Sequence, residues 1–366
     1  MKDLYSELSM PRIINAAGKM TYLGSSSVNE HAVETMVAAS QCSFDMELLK
    51  ERMSEAIAAF TNSDGGCVTS CAAAGIVTSV AAVLSKDNLY QVEQLPNVLH
   101  DKREVVLQKG HAVHFGAQML QMIRLPGAVS VEIGSVSKCE SYHLEGALTD
   151  RTAAVLYVVS HHAVQNGMMP LEQVAEIAHR HGVPVIVDAA AEVDVHKYLQ
   201  AGGDLVVYSG HKAFNAPTSG FICGRNPYIH YCKLQDKGIG RAMKVGKENI
   251  LGLYQSLIDY NGEAYRQIQQ LSQKVDQLKR ELDGVVKNIM LSVQMDATRP
   301  IPRLKLQVLS DAPFTARQLI QALESGDPSI RTRNHAADSG SIQFDPREIR
   351  WDDIPLISEK IRTFLR

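Results

Sequence analysis

Two side chains carry the chemistry that the rest of the chain must serve. One is a lysine at the end of Asp204-Leu205-Val206-Val207-Tyr208-Ser209-Gly210-His211-Lys212; the other is the acid that closes Val183-Pro184-Val185-Ile186-Val187-Asp188. A lysine presented by a small polar turn at a strand end can be positioned and desolvated, which lowers its pKa and frees an amine for Schiff-base formation. Asp188 ends a continuous apolar run after the helical pattern of 171–181, as in a buried parallel strand. In open α/β sheets the crevice at the carboxyl ends of the strands binds ligands. An acid there can hold a pyridinium nitrogen while a lysine holds an aldehyde carbon, the two contacts that pyridoxal phosphate requires. Taken singly, Ser-x-His-Lys reads as a surface lysine and Asp188 as a capping acid; together they weigh against both readings.

Five stretches stand in order across most of the chain. They are Ile14-Asn15-Ala16-Ala17-Gly18, Thr69-Ser70-Cys71-Ala72-Ala73-Ala74-Gly75, Val187-Asp188-Ala189-Ala190-Ala191-Glu192, Ser209-Gly210-His211-Lys212 and Arg241-Ala242-Met243-Lys244-Val245-Gly246-Lys247. In these residues the sequence resembles the fold-type I pyridoxal-phosphate enzymes, and within them the selenocysteine-synthase-like branch, which includes ammonia-lyases of amino sugar acids. The resemblance implies the α/β fold-type I transferase architecture: a large domain with a mostly parallel sheet and a small α+β domain. It also implies pyridoxal 5'-phosphate on Lys212, with Asp188, Ser209 and His211 as further cofactor contacts. The turn Ser70-Cys71-Ala72 opens a helical stretch of small residues over 72–84. Free amides and the positive dipole end at such a start suit a phosphate, and the resemblance assigns the cofactor phosphate to it. Without an anion the same turn reads as an ordinary Ser N-cap.

Further candidates lie in the loops. In Lys109-Gly110-His111-Ala112-Val113-His114-Phe115-Gly116 the two histidines are three apart, on one side of a starting helix. Fold-type I enzymes often place a ring on the cofactor face here, and His114 is preferred to His111 for it. The pair also has a zinc-ligand spacing, but without a third and fourth ligand metal is set aside. The strand over 153–159 ends in Ser160-His161-His162-Ala163-Val164-Gln165-Asn166-Gly167. His161, His162 and Gln165 are candidates for the ring hydroxyl or the substrate. A histidine near neutral pKa suits the acid that protonates a departing hydroxyl, and His161, His162 and His114 compete for it. By the resemblance Arg241 and Lys244 face a substrate phosphate or carboxylate, and Arg333, in Ser329-Ile330-Arg331-Thr332-Arg333-Asn334-His335, faces the substrate carboxylate. The alternatives are a solvated basic face and an exposed edge strand.

Positioning these residues requires 366 residues to fold as more than one core. The expected division is an arm over 1–45, a large cofactor domain over 46–255, and a small domain over 256–366 entered by a long helix across 247–283 with Gly284 as its stop. Helical patterns are expected over 29–40 and 46–60, and an antiparallel strand over 219–224. A net charge of −3 carries no signature of nucleic-acid binding. Six cysteines without a Cys-x-x-Cys pair suit reduced thiols and a cytoplasmic setting. Neither a signal-peptide start nor a long apolar span is evident, so no membrane association is expected. The resemblance implies a small-molecule substrate, a homodimer or higher homo-oligomer, and dehydration with deamination of a 2-amino sugar acid. The rivals are another reaction on the same cofactor, namely transamination, aldol cleavage or β-replacement, and a non-catalytic pyridoxal-binding protein.

Overall fold

Seven short segments pair into one sheet in the computed structural model, which describes residues 3–160, 162–260, 264–283, 288–296 and 301–365. They are β1 (Gly65–Thr69), β2 (Glu104–Gln108), β3 (Val129–Ile133), β4 (Thr152–Val158), β5 (Val185–Asp188), β6 (Leu205–Ser209) and β7 (Gly220–Gly224). Their spatial order is β1-β7-β6-β5-β4-β2-β3. Neighbours run parallel except β7, which is antiparallel to both β1 and β6, as the sequence suggested for 219–224.

Burial on both faces explains why these strands read as unbroken apolar runs rather than alternating ones. Every residue of β4, β6 and β7 is buried. Val155, Val187, Val206 and Tyr208 join one core with helices Met46–Thr61, Leu171–Arg180 and Lys247–Asp259. Their alternates Leu156, Ile186, Leu205 and Val207 join a second core with helix Ala72–Ser85. That helix is buried from Ala74 to Ser85. A Cβ on Gly75 would lie 2.5 Å from Val207 Cγ1, so the glycine lets the helix rest on β6. Full burial of each Val, Leu or Ile contributes about 1.5–3 kcal/mol, which fixes the strand ends rigidly.

The chain divides into a larger unit, Val28–Tyr260, and a smaller one made of Met1–Ser27 with Asn261–Arg366. The smaller unit contains an antiparallel sheet of Ile289–Met295, Pro302–Val308 and Ser341–Phe344. Helices Ala264–Leu282, Ala316–Glu324 and Asp353–Leu365 belong to the same unit. The arm contains a strand that the sequence did not reveal: Ile13–Ala16 pairs in parallel with Ser329–Thr332. Helix Glu30–Ser40 belongs instead to the larger unit, where Asn29 Nδ2 donates to Ser256 Oγ at 3.1 Å. The single helix expected across 247–283 is two, because Tyr260 leaves helical backbone with ψ 69° after helix Lys247–Asp259. Gly284 lies outside the described residues. No helix of the described residues is long and apolar enough to cross a membrane.

Candidate active site

The carboxyl ends of β5 and β6 build the centre of the site. Asp188 stands opposite Val207 of β6. The turn after it is stitched to β6 by Ala189 N–H to Val207 O at 3.0 Å and Ser209 N–H to Ala190 O at 3.2 Å. Asp188 Oδ1 accepts the Ala190 N–H at 3.0 Å, which fixes the carboxyl group. Burial pushes its pKa up from the ordinary value, while the Ala190 amide and the Lys212 charge pull it down and Glu192 adds to the rise. Acid and lysine are therefore electrostatically coupled.

Lys212 lies on the single helical turn Gly210–Ala213 that follows β6, and it is half-buried. Gly210 N–H donates to Ser219 O at 2.9 Å, and a Cβ on Gly210 would come within 2.3 Å of Ser219 Oγ. The turn is thus pressed against the start of β7. Beside it, Ser209 Oγ is buried without a hydrogen-bond partner among the described residues. His211 is half-buried on the same turn.

At the neighbouring edge β1 runs through Ser70 into helix Ala72–Ser85. Cys71 is its N-cap, with Sγ accepting the Ala74 N–H at 3.4 Å. The amides of Ala72 and Ala73 meet no acceptor among the described residues, so the helix start can receive an anion. Gly220 was not singled out from the sequence, yet it stands opposite Thr69 on one side and Ser209 on the other. A Cβ there would lie 2.8 Å from both Cys71 C and Tyr208 O, so glycine lets the turn and the lysine-bearing strand close together. The signal for it was a small pair, Ser219-Gly220, opening an apolar strand.

The histidines separate. A three-residue turn, Lys109–His111, is followed by the strand pair His114–Phe115 and Ala117–Gln118, turned at Gly116 with φ 78°. His111 and His114 therefore do not share a helix face. The β-favouring Val113 and Phe115 before a glycine in left-handed conformation make a hairpin instead. His111 is fully buried, its Nδ1 accepts the Val158 N–H at 3.3 Å, and its ring meets Tyr157 edge-on at 4.6 Å. Burial lowers its pKa to about 4, so it is neutral near pH 7 and braces β4 rather than carrying a proton. His114 is exposed on the hairpin. His162 is exposed, with its amide donating to Ser160 Oγ at 3.2 Å; His161 lies outside the described residues. Gln165 Nε2 donates to Val158 O at 3.0 Å, holding this loop to the end of β4.

Arg241 and Lys244 are exposed around the turn Ile239–Met243 and have no ion-pair partner among the described residues. The third cation of that loop is structural, since Lys247 Nζ donates to Ser40 O at 3.2 Å and also to Cys42 O. In the smaller unit Arg331 pairs with Glu324 at 3.0 Å. Arg333 is buried and bridges to Gln343, so it is not an exposed edge arginine. Burial first, then the charge of Arg303, lowers its pKa to about 10.

The family model described as L-seryl-tRNA selenium transferase, SelA, matches residues 13–310. The chain belongs to the SelA family. Among SelA-like relatives, the D-glucosaminate-6-phosphate ammonia lyase of Salmonella typhimurium is 38% identical over 98% of this chain and 97% of its own length. The 5'-C-glycyluridine monooxygenase-decarboxylase of a Streptomyces species is 37% identical over 99% of this chain and 92% of its own. A solved D-glucosaminate-6-phosphate ammonia-lyase structure superimposes with a TM-score of 0.90 at 35% identity, covering 100% of this chain and 99% of that one. A serine palmitoyltransferase from S. paucimobilis, at 13% identity and TM-score 0.59 over 96% of this chain and 87% of its own, shares the fold.

Proposed function

We propose that this protein is a pyridoxal-phosphate-dependent ammonia-lyase that converts D-glucosaminate 6-phosphate to 2-keto-3-deoxygluconate 6-phosphate and ammonia. The full-length likeness to an enzyme of that name, in sequence and in fold, carries the reading. The donor set fits the cofactor: an amine whose charge acts on a half-buried acid, and, among the described residues, a buried serine hydroxyl without a partner and two helix amides without an acceptor. Bound there, pyridoxal phosphate supplies an aldehyde carbon for an amine and an electron sink for charge developing at Cα.

Lys212 would hold that carbon, and its amine would take the Cα proton of the substrate. Asp188 would keep a proton on the ring nitrogen. Ser70, Cys71 and Ala72 would hold the cofactor phosphate through their backbone, with Ser209, His211 and His114 as further contacts. Hydroxide is a poor leaving group, so a histidine, with His161, His162 and His114 as candidates, would protonate the C3 oxygen as water departs. Arg333 would receive the substrate carboxylate, Gln165 would shape the substrate loop, and Arg241 with Lys244 would hold the substrate phosphate. The same reading makes the active molecule a cytoplasmic homodimer or larger homo-oligomer acting on a small molecule. Its support is the free state of all six cysteines and the exposed Val33, Val37, Leu48, Tyr254 and Ile258 on three helices of the larger unit.

The purified holoenzyme given D-glucosaminate 6-phosphate should release ammonia and 2-keto acid in equal amounts without consuming oxygen. The Streptomyces relative motivates the second reading, because its identity is nearly as high. Oxygen uptake and carbon dioxide release with 5'-C-glycyluridine, without ammonia release from the sugar acid, would replace the first reading by the second.

Asp188→Asn should leave the cofactor bound to Lys212 but slow Cα deprotonation by about 100-fold, the lower end of what a positioned proton-holding group contributes. Wash-out of deuterium from C2 of labelled substrate measures that step. An unchanged rate would make Asp188 a structural acid.

A further inference from the structure

In the smaller unit three arginines share two aspartates unequally. Arg303 reaches Asp296 at 2.6 Å and Asp345 at 2.8 Å, and Arg347 binds both Asp345 oxygens at 2.8 and 2.9 Å. Arg333 has no carboxylate within hydrogen-bond reach among the described residues. Among the described residues its guanidinium makes one hydrogen bond, from Nη1 to the Ala17 carbonyl at 3.3 Å, and its Nε is buried without a partner. The residue is 6% exposed. A guanidinium out of water and short of an anion is a receptor for one, and a planar carboxylate matches its fork.

What aims that fork is the peptide of Ala17, which lies just past strand Ile13–Ala16. Asn15 folds over this turn: its Oδ1 accepts the Ala17 N–H at 3.0 Å and its Nδ2 donates to Gly18 O at 3.0 Å. Asparagine makes such turns because its short amide reaches the backbone two and three residues on. Gly18 has φ 86°, and a Cβ there would come within 2.7 Å of Arg347 Nη2 and 2.8 Å of Asp345 Oδ2. The turn therefore lies directly on the arginine cluster and cannot shift without disturbing it.

We propose that Asn15 is a positioning residue for Arg333: by clamping the peptides on either side of the Ala17–Gly18 peptide it aims the Ala17 carbonyl at Nη1 and sets the guanidinium plane that receives the substrate's carboxylate. The inference rests on the assignment of the carboxylate to Arg333 under the proposed function. A bidentate contact tolerates little rotation, so losing the clamp weakens carboxylate binding while the charge stays.

Asn15→Ala, Asn15→Ser and Arg333→Lys are compared in the full-length holoenzyme. The ligands are D-glucosaminate 6-phosphate and the amino alditol phosphate with CH2OH in place of the carboxylate, used as a competitive inhibitor. Asn15→Ala should raise KM for the acid about tenfold with kcat within about twofold, and leave the inhibition constant of the alditol unchanged. Asn15→Ser, whose hydroxyl can still accept the Ala17 N–H, should recover part of the loss, and it carries the comparison if the alanine variant does not fold. Arg333→Lys should show the same discrimination more strongly. A parallel rise of both constants in the Asn15 variants would mean general loosening of the arm and overturn the inference. Wild-type values in the Asn15 variants beside a defective Arg333→Lys would overturn the inference alone. Unchanged constants in Arg333→Lys would overturn the assignment of the carboxylate and the inference with it.

Discussion

Lys212→Ala should abolish turnover, by on the order of 10⁴-fold or more, and should remove the covalently held cofactor together with its visible absorbance. The expectation follows from the geometry of the sheet. Lys212 leaves β6 on a turn pinned to β7, and its charge acts on Asp188 at the end of the adjacent strand. A substitute amine must reach the same carbon. Among the described residues the other lysine directly following a central strand is Lys109, after β2. In the order β6-β5-β4-β2 that is three strand spacings away, about 14 Å at roughly 4.8 Å per spacing. Lysine side chains do not span that gap and keep the geometry of proton transfer. The truncated side chain is only half-buried, so the fold should survive, as circular dichroism can check. Borohydride reduction followed by peptide mapping reads the result. A reduced cofactor adduct on any lysine of the Lys212→Ala protein would show that the site is elsewhere.

The centre of the larger unit was legible because its residues leave few alternatives. Val185–Asp188 and Leu205–Ser209 are apolar runs too short for helices, each followed by a polar turn, and parallel strands buried on both faces look like that. Helix Met46–Thr61 was equally plain, with Met53 and Ile57 at helical spacing on its buried side. Misreadings arose where a local pattern fits two structures. A spacing of three placed His111 and His114 on a helix, and only the left-handed Gly116 makes a hairpin of them, burying one ring and exposing the other. The apolar period across 247–283 continues through a break at Tyr260, so one helix was read where there are two. Strand Ile13–Ala16 was invisible for another reason. Four residues carry no period, and the partner that makes them a strand, Ser329–Thr332, comes from the far end of the chain. Asn15 and Gly220 act through backbone they touch or make room for, and a residue type alone does not announce such a role.

Arg241→Ala should raise KM for D-glucosaminate 6-phosphate about tenfold or more and barely alter an unphosphorylated amino sugar acid. A phosphate at the far end of a six-carbon chain needs its own cations, separate from the helix start proposed for the cofactor's phosphate, where the Ala72 and Ala73 amides meet no acceptor among the described residues. In the basic loop, Lys247 is committed to the carbonyls of Ser40 and Cys42 at the end of helix Glu30–Ser40. Arg241 and Lys244 remain, exposed and without ion-pair partners among the described residues. A charge-assisted hydrogen bond to a phosphate contributes roughly 1.5–3 kcal/mol, and solvent around an exposed arginine brings the effect toward the lower figure. Since ~1.4 kcal/mol is a decade in affinity, one lost contact gives about a tenfold rise in KM. Loss of uniform binding leaves kcat unchanged, which separates this effect from damage to the proton-transfer groups. The ratio of KM values for the phosphorylated and unphosphorylated substrates should therefore collapse in Arg241→Ala, and raising the salt concentration should weaken phosphate binding in the wild type in the same sense. If both substrates lose affinity equally, the loop holds the cofactor, the carboxylate or the subunits together, and the phosphorylated substrate is left resting on likeness to the Salmonella enzyme alone.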